Sequence, residues 1–198
     1  MPRPLLYIAA GVILLVIVGA FTLPGLFSES KTYHGTLVDA TGDPEEFTLT
    51  SADGEVRLSD FRGKLVVMYF GYTNCPDYCP ATLSKLAKVR ERLGEDGDDI
   101  QVMMITVDPE RDDPERLARF TEAFDPSFVG LTGSEDELRA VASQFGIFFQ
   151  KAEGSAATGY LVDHSTTTVV LDRDGRERLY MPWDLTVEQV ENDLRNLL

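Results

Sequence analysis

Apolar and polar positions divide this chain into one long uncharged run and a series of short alternating segments. Leu5 to Leu23 carries no charge and is about as long as a bilayer-crossing helix requires. Arg3 precedes it, and no Lys or Arg follows until Lys31, which predicts the N-terminus inside and the rest outside. A cleaved signal peptide is the alternative. The run is longer than an ordinary signal core, and neither a clear small-x-small cleavage site nor a lipobox cysteine accompanies it. Residues 1–30 are therefore expected to be an uncleaved membrane anchor with a short polar linker, and residues 31–198 one domain. The absence of an Arg- and Ser-rich leader favours a bacterial envelope over an organelle.

Beyond the linker, Phe47 to Thr50 and Val56 to Leu58 flank Ala52-Asp53-Gly54 and predict a hairpin. Leu65 to Phe70 and Ile100 to Val107 are short, apolar and partly β-branched, as buried strands are. Between them, Thr82 to Leu93 places Leu83, Leu86, Val89 and Leu93 at helical spacing. Pro114 to Phe124 predicts a helix with proline in its first turn and Asp112 or Asp113 as its cap. Phe128 to Leu131 predicts a short strand. Ser134 to Phe145 predicts a helix opened by a Ser134–Glu137 capping box. Thr167 to Leu171 and Glu177 to Tyr180 form a second hairpin around Asp174-Gly175, and Thr186 to Leu198 a last helix. Strands alternating with helices, then a closing hairpin and helix, describe an α/β sandwich with a central mixed sheet. That order is the one of a thioredoxin-like fold, with the 47–58 hairpin as an N-terminal extension.

Composition narrows the function classes. The formal net charge is −15 and the isoelectric point about 4.4, which argues against nucleic acid as a partner. The acidic runs 95–99 and 108–115 are expected to be solvated loops. Met103 and Met104 alternate faces of one strand, so at least one is expected in the core. His34 reads as a surface residue, and Trp183 as a packing residue near the start of the last helix.

The chemistry concentrates at Cys75-Pro76-Asp77-Tyr78-Cys79-Pro80, which holds both cysteines of the chain. They lie between a buried strand and the start of a helix. A helix N-terminus favours anions and so promotes the thiolate. A bridge closing so short a loop removes little chain entropy, which makes a purely structural disulfide a poor explanation. Thiolates either exchange with disulfides or bind soft metals. Far downstream, Val162-Asp163-His164-Ser165-Thr166 occupies the place of the loop that faces the cysteines in thioredoxins. It has a histidine and no proline. Two thiolates and one imidazole suit Cu(I), Cu(II) or zinc, but a structural zinc site closes with four ligands, and the chain has no third cysteine. Asp163 is a candidate to orient the histidine from outside the ligand set.

These details resemble the Sco/SenC family of membrane-anchored copper proteins. The resemblance is carried by Gly71 to Pro80, by Thr106 to Glu115, by Gly130 to Gly133, by Val162 to Ser165 and by Asp60 to Lys64. It implies that Cys75, Cys79 and His164 bind copper as Cu(I) or Cu(II). It also implies a role in assembling the dinuclear copper centre in subunit II of cytochrome c oxidase, by delivering copper or by reducing the target's cysteines. An envelope copper donor and a thiol reductant are the further partners it implies. Its location is the bacterial cytoplasmic membrane, with the domain on the periplasmic side. Tyr78 departs from the smaller aliphatic residue that many relatives carry.

Two readings stay open at this point. One is a metallochaperone that uses all three residues. The other is a thiol–disulfide oxidoreductase in which Cys75 and Cys79 are the reacting groups and His164 is dispensable. A thiol peroxidase would need Thr or Ser three positions before the reactive cysteine and a proline further upstream, where Tyr72 and Met68 stand.

Overall fold

The computed structural model describes residues 31–198 except 39–41, 43–45 and 155–158. The predicted anchor, Leu5 to Leu23, lies outside the described residues. No helix among the described residues is long and apolar enough to cross a membrane. Tyr33–Leu198 forms one compact unit.

Its main sheet has six strands: β1 (Thr36–Leu37), β4 (Leu65–Gly71), β5 (Ile100–Thr106), β6 (Val129–Leu131), β9 (Thr168–Leu171) and β10 (Glu177–Met181). They lie in the order β1-β10-β9-β4-β5-β6. β4, β5 and β6 run parallel, whereas β9 joins β4 antiparallel and β10 returns beside it. Every residue of β4 and β5 is buried, as expected of strands covered on both faces. Met103 and Met104 are both in the core, on opposite faces of β5.

Helices α1 (Tyr78–Leu93), α2 (Pro114–Glu122) and α4 (Val187–Leu197) cover one face, through Leu83, Leu86, Val89, Leu117, Val190 and Leu194. Helix α3 (Glu135–Gln144) covers the other with Leu138, Val141 and Ala142, joined by Phe145. The caps predicted at Asp113 and Ser134 form: Asp113 accepts the Arg116 amide hydrogen and opens α2, and Ser134 makes a reciprocal capping box with Glu137. Thr186 and Gln189 make another at the start of α4. The N-terminal hairpin is β2 (Thr48–Ser51) with β3 (Gly54–Arg57), and Phe47 and Leu49 pack into the α3 side of the core. The thioredoxin-like expectation therefore holds for the described residues.

The structure departs from the sequence reading at four places. Helix α1 starts at Tyr78, one turn earlier than Thr82, so Cys79 lies in its first turn. Pro80 fits there because the first amides of a helix have no intrahelical acceptor to lose. The segment expected to be a loop at 162–166 contains a strand. Leu161–His164 (β8) pairs with Phe149–Ala152 (β7) in a separate two-stranded sheet, with Phe149 opposite His164. Each of these strands buries one side chain, Phe149 or Val162, so neither shows a readable alternation. The run 108–115 is not a solvated loop throughout, for Asp108 and Asp112 are 1% and 0% exposed. The edge strand Thr36–Leu37 has no counterpart in the sequence reading, and beside it His34, exposed as expected, is also anchored to the last helix. Its Nδ1 stands 3.0 Å from Oδ1 of the buried Asp193 on α4, and its backbone N–H donates to the same carboxylate.

Gly130 on β6 shows how tightly α2 lies on the sheet. A Cβ there would stand 2.7 Å from Leu117 Cβ and 3.0 Å from the Leu117 carbonyl carbon. Because part of the obstacle is backbone, Gly130→Ala is expected to cost about 1–3 kcal/mol of overpacking strain. Chemical denaturation of the two proteins, compared at equal slope, measures it.

Candidate metal centre

The site forms where β4 ends. Gly71 closes the strand, residues 72–77 turn, and α1 begins at Tyr78. The Cys75 N–H donates to the Tyr72 carbonyl at 3.2 Å, which curls the turn back on itself. Cys79, on the first turn of α1, is fully buried, and Cys75 is 8% exposed. Both are free thiols. A Cβ on Gly71 would stand 2.8 Å from Cys79 Sγ and 2.8 Å from Tyr69 Cε1, so the glycine leaves the space that this sulfur occupies.

His164 arrives from the end of β8. Its Nε2 is 3.8 Å from Cys79 Sγ, although the two residues are 85 apart in sequence. The ring is held on three sides. The rings of Tyr69 and Tyr72 meet it edge to face, with centroids 6.1 and 5.9 Å away. Its Nδ1 is 3.0 Å from the Ser165 carbonyl. A carbonyl only accepts, so Nδ1 donates there, and Nε2 is the ring nitrogen that faces the sulfurs. Asp163, the expected orienting carboxylate, is exposed, and the Ser165 carbonyl does that work instead.

Sγ of Cys75, Sγ of Cys79 and a ring nitrogen of His164 lie within 4.8 Å of one another. Three donors placed about 2.3 Å from a common centre in a plane stand about 4 Å apart. The three residues fit a metal ion after a small contraction. The opening is a cleft of about 230 Å³ whose walls include Tyr72, Pro76, Asp77, Tyr78, Leu161 and Thr166. A larger cleft of about 420 Å³ between Ser84, Lys88 and Phe124 holds neither cysteine nor histidine. Asp77 is exposed at the rim. Tyr78 and Trp183 are 42% and 49% exposed and pack edge to face at 5.1 Å, so Trp183 packs at the surface rather than in the core.

The two thiols are not equivalent. The hydrogen bond from Cys79, helped by one from His164 and by the backbone N–H groups of Asp77 and Cys79, drives the Cys75 thiol far below its ordinary range against the opposing effect of burial. The same hydrogen bond, reinforced by burial, drives Cys79 upward. The proton of the pair stays on Cys79. Tyr69, whose hydroxyl lies 3.6 Å from Cys79 Sγ, is also pushed up, chiefly by burial.

Comparison with known proteins agrees with this geometry. The family model for SCO1/SenC matches residues 35–198. The chain belongs to the SCO1/SenC family. An SCO2-like protein of Rickettsia typhi is 34% identical over 92% of this chain and 93% of its own length. Apo Sco1 from Thermus thermophilus is 41% identical and superposes with a TM-score of 0.77, covering 86% of this chain and 100% of that one. Bradyrhizobium japonicum ScoI, solved with copper bound, is 32% identical with a TM-score of 0.71, over 79% of this chain and 100% of that one. The family has members with copper bound, and this chain carries a Cys-Cys-His group able to hold that ion.

Sequence reasoning named the three residues that converge and missed what holds them. Tyr69 and Tyr72 meet the imidazole, Asp108 holds Tyr160 just before β8, and Asp112 holds Thr73 beside the cysteines. The available signal was that Tyr72, Asp108 and Asp112 lie inside the stretches that carry the family resemblance, while Tyr69 and Tyr160 had none.

A depressed Cys75 pKa means that its thiolate persists as pH falls below the ordinary thiol range. Alkylation of the reduced, metal-free protein is expected to label Cys75 at a nearly constant rate between about pH 6 and pH 8, with Cys79 unlabelled. In Cys79→Ala the main stabilising donor is gone, and the Cys75 rate should climb with pH across that range. A rate in the unmodified protein that rises about tenfold per pH unit would contradict the assignment.

Proposed function

We propose that this chain holds copper through Cys75 Sγ, Cys79 Sγ and His164 Nε2 and serves the assembly of the dinuclear copper centre in subunit II of cytochrome c oxidase. The observation that carries the reading is the convergence of the three donors within 4.8 Å. The copper-bound relatives support the choice of metal. Thiolates suit Cu(I), and the imidazole adds competence for Cu(II).

The burial gradient gives an order for ligand exchange. Cys75, at the cleft and 8% exposed, is the donor that an incoming thiolate reaches first. Cys79, fully buried, lets go last. Such an exchange passes the ion between proteins without releasing it to solvent. The apolar run Leu5 to Leu23 supports a tether at the extracytoplasmic face of the bacterial membrane, where a membrane oxidase, an envelope copper donor and a thiol reductant would be within reach.

The asymmetry of the thiols favours a second reading, reduction of the acceptor's cysteines. Cys75 thiolate attacks an acceptor disulfide, forming a mixed disulfide and releasing one acceptor thiolate. Cys79, on losing its proton, attacks Cys75 Sγ and releases the second. The acceptor gains two electrons, and this chain is left with a Cys75–Cys79 disulfide.

Copper titration of the reduced full chain in detergent, beside Cys75→Ala and His164→Ala, separates the two. One equivalent is expected to bind, with a thiolate-to-Cu(II) absorption band that is altered in both Cys75→Ala and His164→Ala. The EPR signal should change in both variants. Absence of stoichiometric binding, together with equal reduction of an oxidised acceptor peptide with and without His164, would establish the oxidoreductase instead.

A further inference from the structure

The hairpin that carries His164 is not part of the main sheet, since β7 and β8 pair with each other alone among the described residues. The cysteines stand at the end of β4. Downstream, β9 pairs with β4, with Thr168 opposite Tyr69, but no strand pairing holds β8 itself to the cysteine turn, and side chains must complete the placement of imidazole against thiols. One segment, residues 107–113 after β5, reaches both halves.

Asp112 grips the cysteine half. Its buried carboxylate accepts hydrogen bonds from the Thr73 amide at 2.9 Å, the Thr73 hydroxyl at 2.5 Å and the Thr106 hydroxyl at 2.8 Å. Arg116 of α2 lies 3.7 Å from the same carboxylate and donates to Thr73 Oγ1 at 2.7 Å and to Asn74 Oδ1. Thr73 and Asn74 immediately precede Cys75. Asp108 grips the histidine half. It accepts the Tyr160 hydroxyl at 2.5 Å and Arg111 Nε. Arg111 also donates to the Tyr160 carbonyl at 3.0 Å, and its guanidinium lies 3.7 Å from the centre of the Tyr160 ring. Glu110 adds Lys151 of β7 at 2.5 Å. Tyr160 immediately precedes β8, which ends at His164.

Two carboxylates withdrawn from water are costly unless fully paired, and pairing in a fixed geometry makes a rigid joint. Neither touches a donor atom. We propose that the 107–113 segment is a brace that sets the thiol-to-imidazole separation, with Asp112 positioning Cys75 and Asp108, through Tyr160, positioning His164. Its copper readout rests on the ligand assignment above, while its geometric readout does not.

The test is a set of double-mutant cycles on the full chain in detergent, with copper affinity read by chelator competition. Asp108→Asn is expected to weaken binding about 10–100-fold when His164 is present and to have no further effect in the His164→Ala background. Asp112→Asn should lose as much with or without His164, and nothing further in Cys75→Ala. Equal losses from Asp108→Asn in both His164 backgrounds would overturn the proposal, because mere destabilisation of the fold ignores that distinction. Tyr160→Phe, which keeps the ring over Arg111 and deletes the hydroxyl's hydrogen bonds to Asp108 and Glu110, replaces Asp108→Asn should the latter not fold.

The second readout needs no metal. In the reduced apo protein, NMR contacts between the His164 and Tyr72 rings should fade in Asp108→Asn and Tyr160→Phe and persist in Asp112→Asn. Contacts retained in both of the first two variants would overturn the brace whatever copper does. If His164→Ala leaves copper affinity unchanged, the ligand assignment fails, and the ring contacts still decide the brace.

Discussion

Parallel pairing of β4 with β5 sets Gly71 opposite Thr106, and the Val107 amide donates to the Gly71 carbonyl at 2.9 Å. From that register the site is built outward. The chain leaves β4 into the cysteine turn and leaves β5 into the 107–113 segment, so two connections start side by side. Parallel strands place such exits at the same edge of a sheet, which is where α/β folds collect their functional groups. Here the juxtaposition lets Thr106 and Thr73 share the Asp112 carboxylate.

Cys79 illustrates how packing and chemistry coincide. Its sulfur fills the space left by Gly71, beneath Tyr69 and 3.8 Å from His164 Nε2. A fully buried sulfur resists ionisation in the apo protein and so keeps its proton for Cys75. The outer thiol is thereby ionised at the mouth of the cleft. One arrangement serves two chemistries, since a thiolate lining the cleft with a protonated partner is suited to attack on a disulfide, and two sulfurs beside an imidazole nitrogen are suited to a soft metal. Both demand reduced cysteines.

The aromatic groups divide by depth. Tyr69 and Tyr72 meet the imidazole from below, where burial and edge-to-face contact fix its plane. Tyr78 and Trp183 pack edge to face at the outer rim and remain half exposed. Tyr78 is thus a partly exposed wall of the cleft.

The main sheet apart from its edge strand β1, the four helices and the caps at Asp113 and Ser134 were legible because each is a local pattern: buried runs at β4 and β5, helical spacing in α1, Ser134–Glu137 at α3. The donor residues were legible because cysteines are scarce and the Asp-His-Ser stretch is distinctive beside them. What the sequence by itself determined is therefore the type of fold and the chemical identity of the site. It did not reveal that β8 is a strand, since two short segments burying one side chain each carry no period. Nor did it distinguish Asp108 and Asp112 from the exposed acids around them, since a run of carboxylates has the same local signature whether solvated or buried. Those distinctions belong to the tertiary structure, because a carboxylate becomes structural only when partners from residues 73, 106 and 160 close around it, and contacts between distant segments leave no local pattern.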